Sequence, residues 1–186
     1  MISFEIFKYF SLISLPLFLV IALLLIKKIP DFSFKKHTIS KTALFLKIPY
    51  HMLIFRVNFI LKSILDLGFS WYLIHRLKIA YNSPLFLLLI FCPIIFALLA
   101  IYLVGKHTLE HRIIIYGFGV LWSLVQVFLA QMTGNNLFIF LTYFLSLSAL
   151  IIAFGFLFIK KTNVFVQILC IIIFYVWLIL YVFWFL

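Results

Sequence analysis

The chain of 186 residues reads as an all-α protein, a polytopic transmembrane helical bundle with six spans. Three observations predict this. The hydrophobic fraction is 68% and the mean hydropathy is +1.33, whereas a water-soluble domain holds roughly 45–50% apolar residues. Apolar runs long enough to cross a hydrocarbon core, roughly 20 residues each, recur about six times along the sequence. Those runs, as in 11–26 and 164–186, are apolar on all sides and do not alternate every second residue. In lipid the backbone must satisfy its own hydrogen bonds, which leaves helices or closed barrels, and a barrel requires alternation.

The first span is expected at about 9–26, ending at Lys27 and Lys28, with Pro16 as a bend. It reads as a span and not as a cleavable leader, because no small-x-small cleavage pattern follows it. The segment 27–47 is the longest polar stretch. It sets Lys27, Lys28, Lys35, Lys36, Lys41 and Lys47 against the single acid Asp31.

The second span, about 50–74, differs from the others in holding Arg56, Asn58, Lys62, Ser63 and Asp66. At roughly 100° per residue, these positions together with His51 and Ser70 fall within about 160° of arc. Ile54, Val57, Ile60, Leu61, Ile64, Leu65 and Leu67 take the other side. Either this helix crosses with its stripe turned into a bundle, or it lies in the interface and leaves five spans.

The third span is expected at about 84–104, bent at Pro93, followed by the polar link GKHTLEHR of residues 105–112. The fourth covers about 113–132 and the fifth about 137–159, joined by the uncharged turn Thr133-Gly134-Asn135-Asn136. The sixth covers about 164–186 after the hairpin Lys160-Lys161-Thr162-Asn163. Residues 1–186 are thus expected to form a single transmembrane domain. Thr142, Ser146, Ala149 and Ala153 mark one face of the fifth span, a small-residue stripe suited to close helix packing.

Charge distribution predicts orientation. With six spans, one side collects ten basic residues: the six lysines of the 27–47 loop, Lys106 and Arg112 of the link 106–112, and Lys160 and Lys161. The other side holds three, Lys8, Arg76 and Lys78. The basic loops are therefore expected on the cytoplasmic side of a bacterial inner membrane or another cellular membrane, touching anionic headgroups at 27–47. A five-span arrangement divides the basic residues ten against five. The net charge of +11 does not imply nucleic acid, because no basic domain lies outside the spans.

Two constellations are candidate sites. On the second span, Lys62 and Asp66 stand at i, i+4 and can pair. With Arg56 they could line a polar cavity for a headgroup, ion or proton, or simply be packed as a pair with Arg56 reaching to the headgroups. In the link, His107 and His111 share i, i+4 spacing, with Glu110 between them, a ligand pattern for zinc or iron if the segment is helical. Cys92 and Cys170 fall inside spans as reduced core residues, and no serine-nucleophile elbow is present. No cofactor is expected.

The segment 107–129, HTLEHRIIIYGFGVLWSLVQVFL, with His111, Gly117, Gly119, Trp122 and Gln126, resembles the DRAM/FGF-receptor-activating-protein group of small six-span proteins and their bacterial relatives. The basic first loop departs from that group. The resemblance implies a membrane protein without catalytic residues, linked to trafficking or lipid organisation. Three functional classes follow: a non-enzymatic membrane subunit or lipid-organising bundle, a transporter or scramblase-like protein with a polar path along the second span, and a lipid-modifying enzyme with His107, Glu110 and His111, or Asp66, in its site. Partners are expected among membrane lipids and other membrane subunits.

Overall fold

Every regular element in the computed structural model, which describes residues 4–103, 107–159 and 162–186, is helical. A 3₁₀ stretch, Phe4–Tyr9, leads into α1, Phe10–Ile26. The short helix α2, Thr42–Phe45, lies in the first loop, and α3, Pro49–Arg76, is the longest element. Then come α4, Pro84–Ala97, α5, Thr108–Met132, α6, Asn136–Phe158, and α7, Val164–Phe185. Among the described residues, four stretches are long and apolar enough to cross a membrane: Phe4–Ile26, Thr108–Met132, Asn136–Phe158 and Val164–Phe185. Their outward faces are apolar as well. Leu137, Phe140, Phe144, Leu147 and Ile151 are exposed on α6, as are Phe165, Leu169 and Ile172 on α7. Such faces fit a multi-pass membrane protein, where lipid replaces water outside the bundle.

Local chemistry sets the helix ends. Ser83, Asn135 and Asn163 stand at the N-caps of α4, α6 and α7. Their side-chain oxygens accept from the backbone N–H of Phe86, Phe138 and Val166 at 3.1, 2.9 and 3.1 Å. Pro49 and Pro84 begin α3 and α4, where a missing N–H costs nothing. Gly134 turns the chain between α5 and α6 with φ +65°.

Two boundaries depart from expectation. The third span was expected to reach 104, but α4 ends at Ala97 and tightens into a 3₁₀ turn, Leu98–Ala100. Pro93 deprives α4 of one ladder bond near its end, so only about one further α-turn follows it. The fourth was expected from 113, but α5 begins at Thr108 and absorbs most of the polar link. Pro16 leaves α1 continuous. The carbonyl it orphans is that of Leu12, and Tyr175 on α7 donates its hydroxyl there at 3.0 Å.

The long helices form a ring. α1 packs on α3, α3 on α4, α4 on α5, α5 on α6, α6 on α7, and α7 returns to α1. Two apolar clusters fill it. One, toward the chain termini, centres on Tyr72, Leu89, Leu129, Trp177 and Tyr181, and the other, toward the first loop, on Phe18, Phe55, Phe59, Phe96 and Leu99. On α3 the polar residues Lys62, Ser63 and Asp66 fall between them.

The first loop is not a loose basic segment. Ile39 and Ala43 are buried in the second cluster. The Ile39 N–H donates to Gln167 Oε1 at 2.6 Å, and the Val164 N–H donates to the His37 carbonyl at 2.8 Å. The loop therefore folds across the end of the ring and is tied to the start of α7. Lys27, Lys28, Lys35, Lys36 and Lys47 remain exposed on its outer side.

Candidate functional site

The stripe on α3 points inward. Asn58, Lys62, Ser63, Asp66 and Ser70 are buried, while Leu53, Val57, Ile60 and Ile64 are exposed. This is the inverse of an amphipathic helix in water. Lys62 and Asp66 stand in the middle part of α3, about 15–25 Å from either end at 1.5 Å per residue. Their exposures are 7% and 5%, so neither charge reaches solvent.

Asp66 has three donors. Lys62 Nζ pairs with Oδ2 through a direct hydrogen bond. Ser11 and Ser14 on α1 both donate to Oδ1, at 3.1 and 2.5 Å. The ammonium of Lys62 lies over the Phe96 ring, 4.6 Å from its centroid, and 5.9 Å from that of Phe118. A carboxylate with three donors and an ammonium on aromatic faces offset much of the cost of burial. Asn58 donates to the Phe18 carbonyl at 2.9 Å and Ser63 to the carbonyl of Phe59 at 2.9 Å. Arg56 does not join them. It sits at the edge of the arc, where α3 turns outward, and is exposed.

A second feature lies beyond the aromatic rings. A cavity of about 250 Å³ runs inside the ring between α5, α6 and α7. Phe18, Phe59, Phe96 and Phe118 line it, and Phe96 and Phe118 present their rings to Lys62 as well. The four rings pack with centroids 5.0–5.6 Å apart. Ala149, Ala153 and Gly119 line its walls, and the first loop, residues 38–41, closes over part of its mouth. Lys41, His111, Arg112 and Gln167 stand at that end.

The histidine link does not assemble as a three-ligand cluster. His107 precedes α5 as its N-cap, outside the helix that i, i+4 spacing needs. Its Nδ1 stands 3.9 Å from Glu110 Oε1, on the outer side. His111 turns inward, 3% exposed, with Nδ1 2.7 Å from the Tyr102 carbonyl. Among the described residues, no group of three or more His, Cys, Asp and Glu is placed to hold a metal ion. Lys106, Lys160 and Lys161 lie outside the described residues.

On α6, Thr142, Ser146 and Ala149 are buried, and Ala153 is half-buried at the cavity. Trp177 Nε1 donates to Thr142 Oγ1 at 2.8 Å, and Ser146 donates to Gln126 Oε1 at 2.8 Å. The small-residue face thus contributes both packing and interhelical hydrogen bonds.

Sequence reasoning missed Ser11 and Ser14, the aromatic lining and the loop roof. Ser11 and Ser14 were detectable as an i, i+3 polar pair within an otherwise apolar helix. The lining and roof depend on tertiary placement. Comparison with family models, curated proteins and solved structures finds no match to this chain.

Proposed function

We propose that this chain is a small, non-enzymatic integral membrane protein. It is a lipid-organising bundle or membrane subunit whose six long helices all cross the bilayer. The observation that carries this reading is the inversion of α3, with Lys62 and Asp66 inside and Leu53, Val57, Ile60 and Ile64 outside. A charge facing hydrocarbon at mid-depth costs about 2.5–3.5 kcal/mol on insertion scales, so a crossing helix turns its charges inward. A helix in the interface would instead turn its charges to water. The length of α3, 28 residues, exceeds the roughly 20 needed to span. The exposed lysines of the first loop support a cytoplasmic placement against anionic headgroups.

The non-transporting reading is supported by the seam itself. Lys62 and Asp66 satisfy each other and two serines, and the Phe96 and Phe118 rings, which also line the cavity, lie against the Lys62 ammonium. Beyond the pair, toward the termini, the apolar cluster around Trp177 and Tyr181 fills the ring. A polar path along α3 is therefore closed at both ends.

The test is reconstitution into sealed vesicles. The expected result is that dye-labelled lipid and small ions cross at the rate of protein-free vesicles, for the wild type and for Asp66→Asn alike. Stimulated flux that Asp66→Asn abolishes would replace this reading with a transporter or scramblase that uses the seam.

A further inference from the structure

The cavity inside the ring has an amphipathic design. Its floor and walls are apolar: phenylalanines below, Ala149, Ala153 and Gly119 at the sides. It extends along α5 from Thr108 to Gly119 and along α7 from Val166 to Phe174. At 1.5 Å per residue that is roughly 12–16 Å of depth. Its volume of about 250 Å³ lies just below the ~300–1,000 Å³ range of pockets for drug-sized ligands, enough for part of one hydrocarbon chain and not two.

The mouth is different in kind. Lys41 and Arg112 stand there, and among the described residues neither forms a salt bridge. His111 supplies a third, independent signal. It is 97% buried in the sense that only 3% of its surface is exposed. Its Nδ1 faces the Tyr102 carbonyl, which can only accept, so Nδ1 holds the proton of the neutral ring. The lone pair then sits on Nε2, and Nε2 is buried with no partner. A buried polar atom without a partner is destabilising, and a ligand hydroxyl donating to it removes that cost.

We propose that this cavity holds one anionic phospholipid whose headgroup also bears a hydroxyl, the chemistry of phosphatidylglycerol. One acyl chain enters the apolar interior. The phosphate lies at Lys41 and Arg112, and a headgroup hydroxyl donates to His111 Nε2. The site opens at the end of the ring that bears the basic first loop, where anionic headgroups collect. This site rests on the membrane placement proposed above and assigns it a ligand.

The experiment is native mass spectrometry of full-length protein extracted from vesicles of stated composition. Three probes are used: phosphatidylglycerol, phosphatidylmethanol of the same charge but without a headgroup hydroxyl, and zwitterionic phosphatidylcholine. The expected result is one retained phosphatidylglycerol per chain, less phosphatidylmethanol and no phosphatidylcholine. Lys41→Ala and Arg112→Ala each lower retention about fivefold, the effect of roughly one headgroup-facing charge. His111→Phe erases the preference for phosphatidylglycerol over phosphatidylmethanol.

Filling the cavity tests the chain-binding half. A Cβ at Gly119 meets no atom within 4 Å, so Gly119→Leu can occupy the space without disturbing the helix. It is expected to abolish retention with helicity unchanged. Should that variant misfold, Ala153→Leu fills the same space from the facing helix. Equal retention of all three lipids, or retention unaltered by both filling variants, would identify lipid bound around the outside and overturn the proposal. Displacement of the lipid by inorganic phosphate alone would assign the mouth to a soluble anion and overturn it too. Protein that fails to enter vesicles refutes the membrane placement, whereas protein that enters and retains no lipid refutes the lipid site alone.

Discussion

Asp66 and Lys62 stabilise the interior only as a pair, and their surroundings are unequal. With Lys62 removed, Asp66 keeps the hydroxyls of Ser11 and Ser14. With Asp66 neutralised to Asn, Lys62 loses its counter-charge and keeps the neutral amide oxygen and the faces of Phe96 and Phe118. Breaking a buried pair by removing one partner costs about 3–5 kcal/mol, chiefly through the charge left behind. Asp66→Asn is therefore expected to destabilise more than Lys62→Met, and the double variant Lys62→Met/Asp66→Asn to recover most of the loss. Thermal unfolding in one detergent checks this, and additive losses in the double variant would contradict it. Glycines offer a second contrast. A Cβ at Gly68 would stand 2.6 Å from Phe10 Cδ2 and 3.1 Å from Phe7 Cδ1, while at Gly117 it meets nothing within 4 Å. Gly68→Ala is expected to cost about 1–3 kcal/mol through overpacking. Gly117→Ala is expected to gain about 0.5–1 kcal/mol through reduced backbone freedom in the unfolded chain. Opposite shifts of the unfolding midpoint are the measurable outcome.

At the scale of elements, the first loop and α3 differ in how far the sequence reveals them. The inward stripe of α3 is legible because a helix converts spacing into angle, and Asn58, Lys62 and Asp66 share a face by that rule alone. Ser11 and Ser14 share a face of α1 by the same spacing rule, but their pairing with Asp66 was not legible, because the partners lie 55 and 52 positions away and no local pattern links them. The loop resisted for the same reason. Its anchoring bond joins Ile39 to Gln167, separated by 128 positions, and no local pattern encodes so distant a pair. Composition read the segment as a polar basic loop touching anionic headgroups, which describes its lysines and omits the buried Ile39, Thr42 and Ala43. Gln167→Leu removes the acceptor of the Ile39 N–H. A hydrogen bond contributes about 0.5–1.5 kcal/mol net, so amide exchange at Ile39 is expected to quicken by about fivefold. Exchange in the centre of α3 should stay unchanged. Equal acceleration in both places would mean that the loop is not a separate opening unit.

For the whole molecule, the ring follows from chain order. Each long helix packs on the next, skipping only the short α2 of the first loop, and the single closure is α7 against α1. Links between chain neighbours make that order the simplest available, and the positions of the long helices were legible from the apolar runs, whereas their packing into a ring emerges only in the structure. What the runs could not decide is whether α3 crosses, since its charges also suit an interfacial helix. The two arrangements make different topologies. With six crossings, Lys36 lies on one face of the membrane and Tyr81 and Asn136 on the other. With α3 in the interface, all three lie on the same face, because α4 then starts from the side where α1 ended. All three positions are exposed. Introducing Lys36→Cys, Tyr81→Cys and Asn136→Cys one at a time, with Cys170 replaced by Ala and the fully buried Cys92 retained, lets an impermeant maleimide read the sides of sealed vesicles. Labelling of Lys36→Cys from the face opposite to the other two is expected. Labelling of all three from one face would take α3 out of the membrane, and its inward charges would then need another explanation than hydrocarbon.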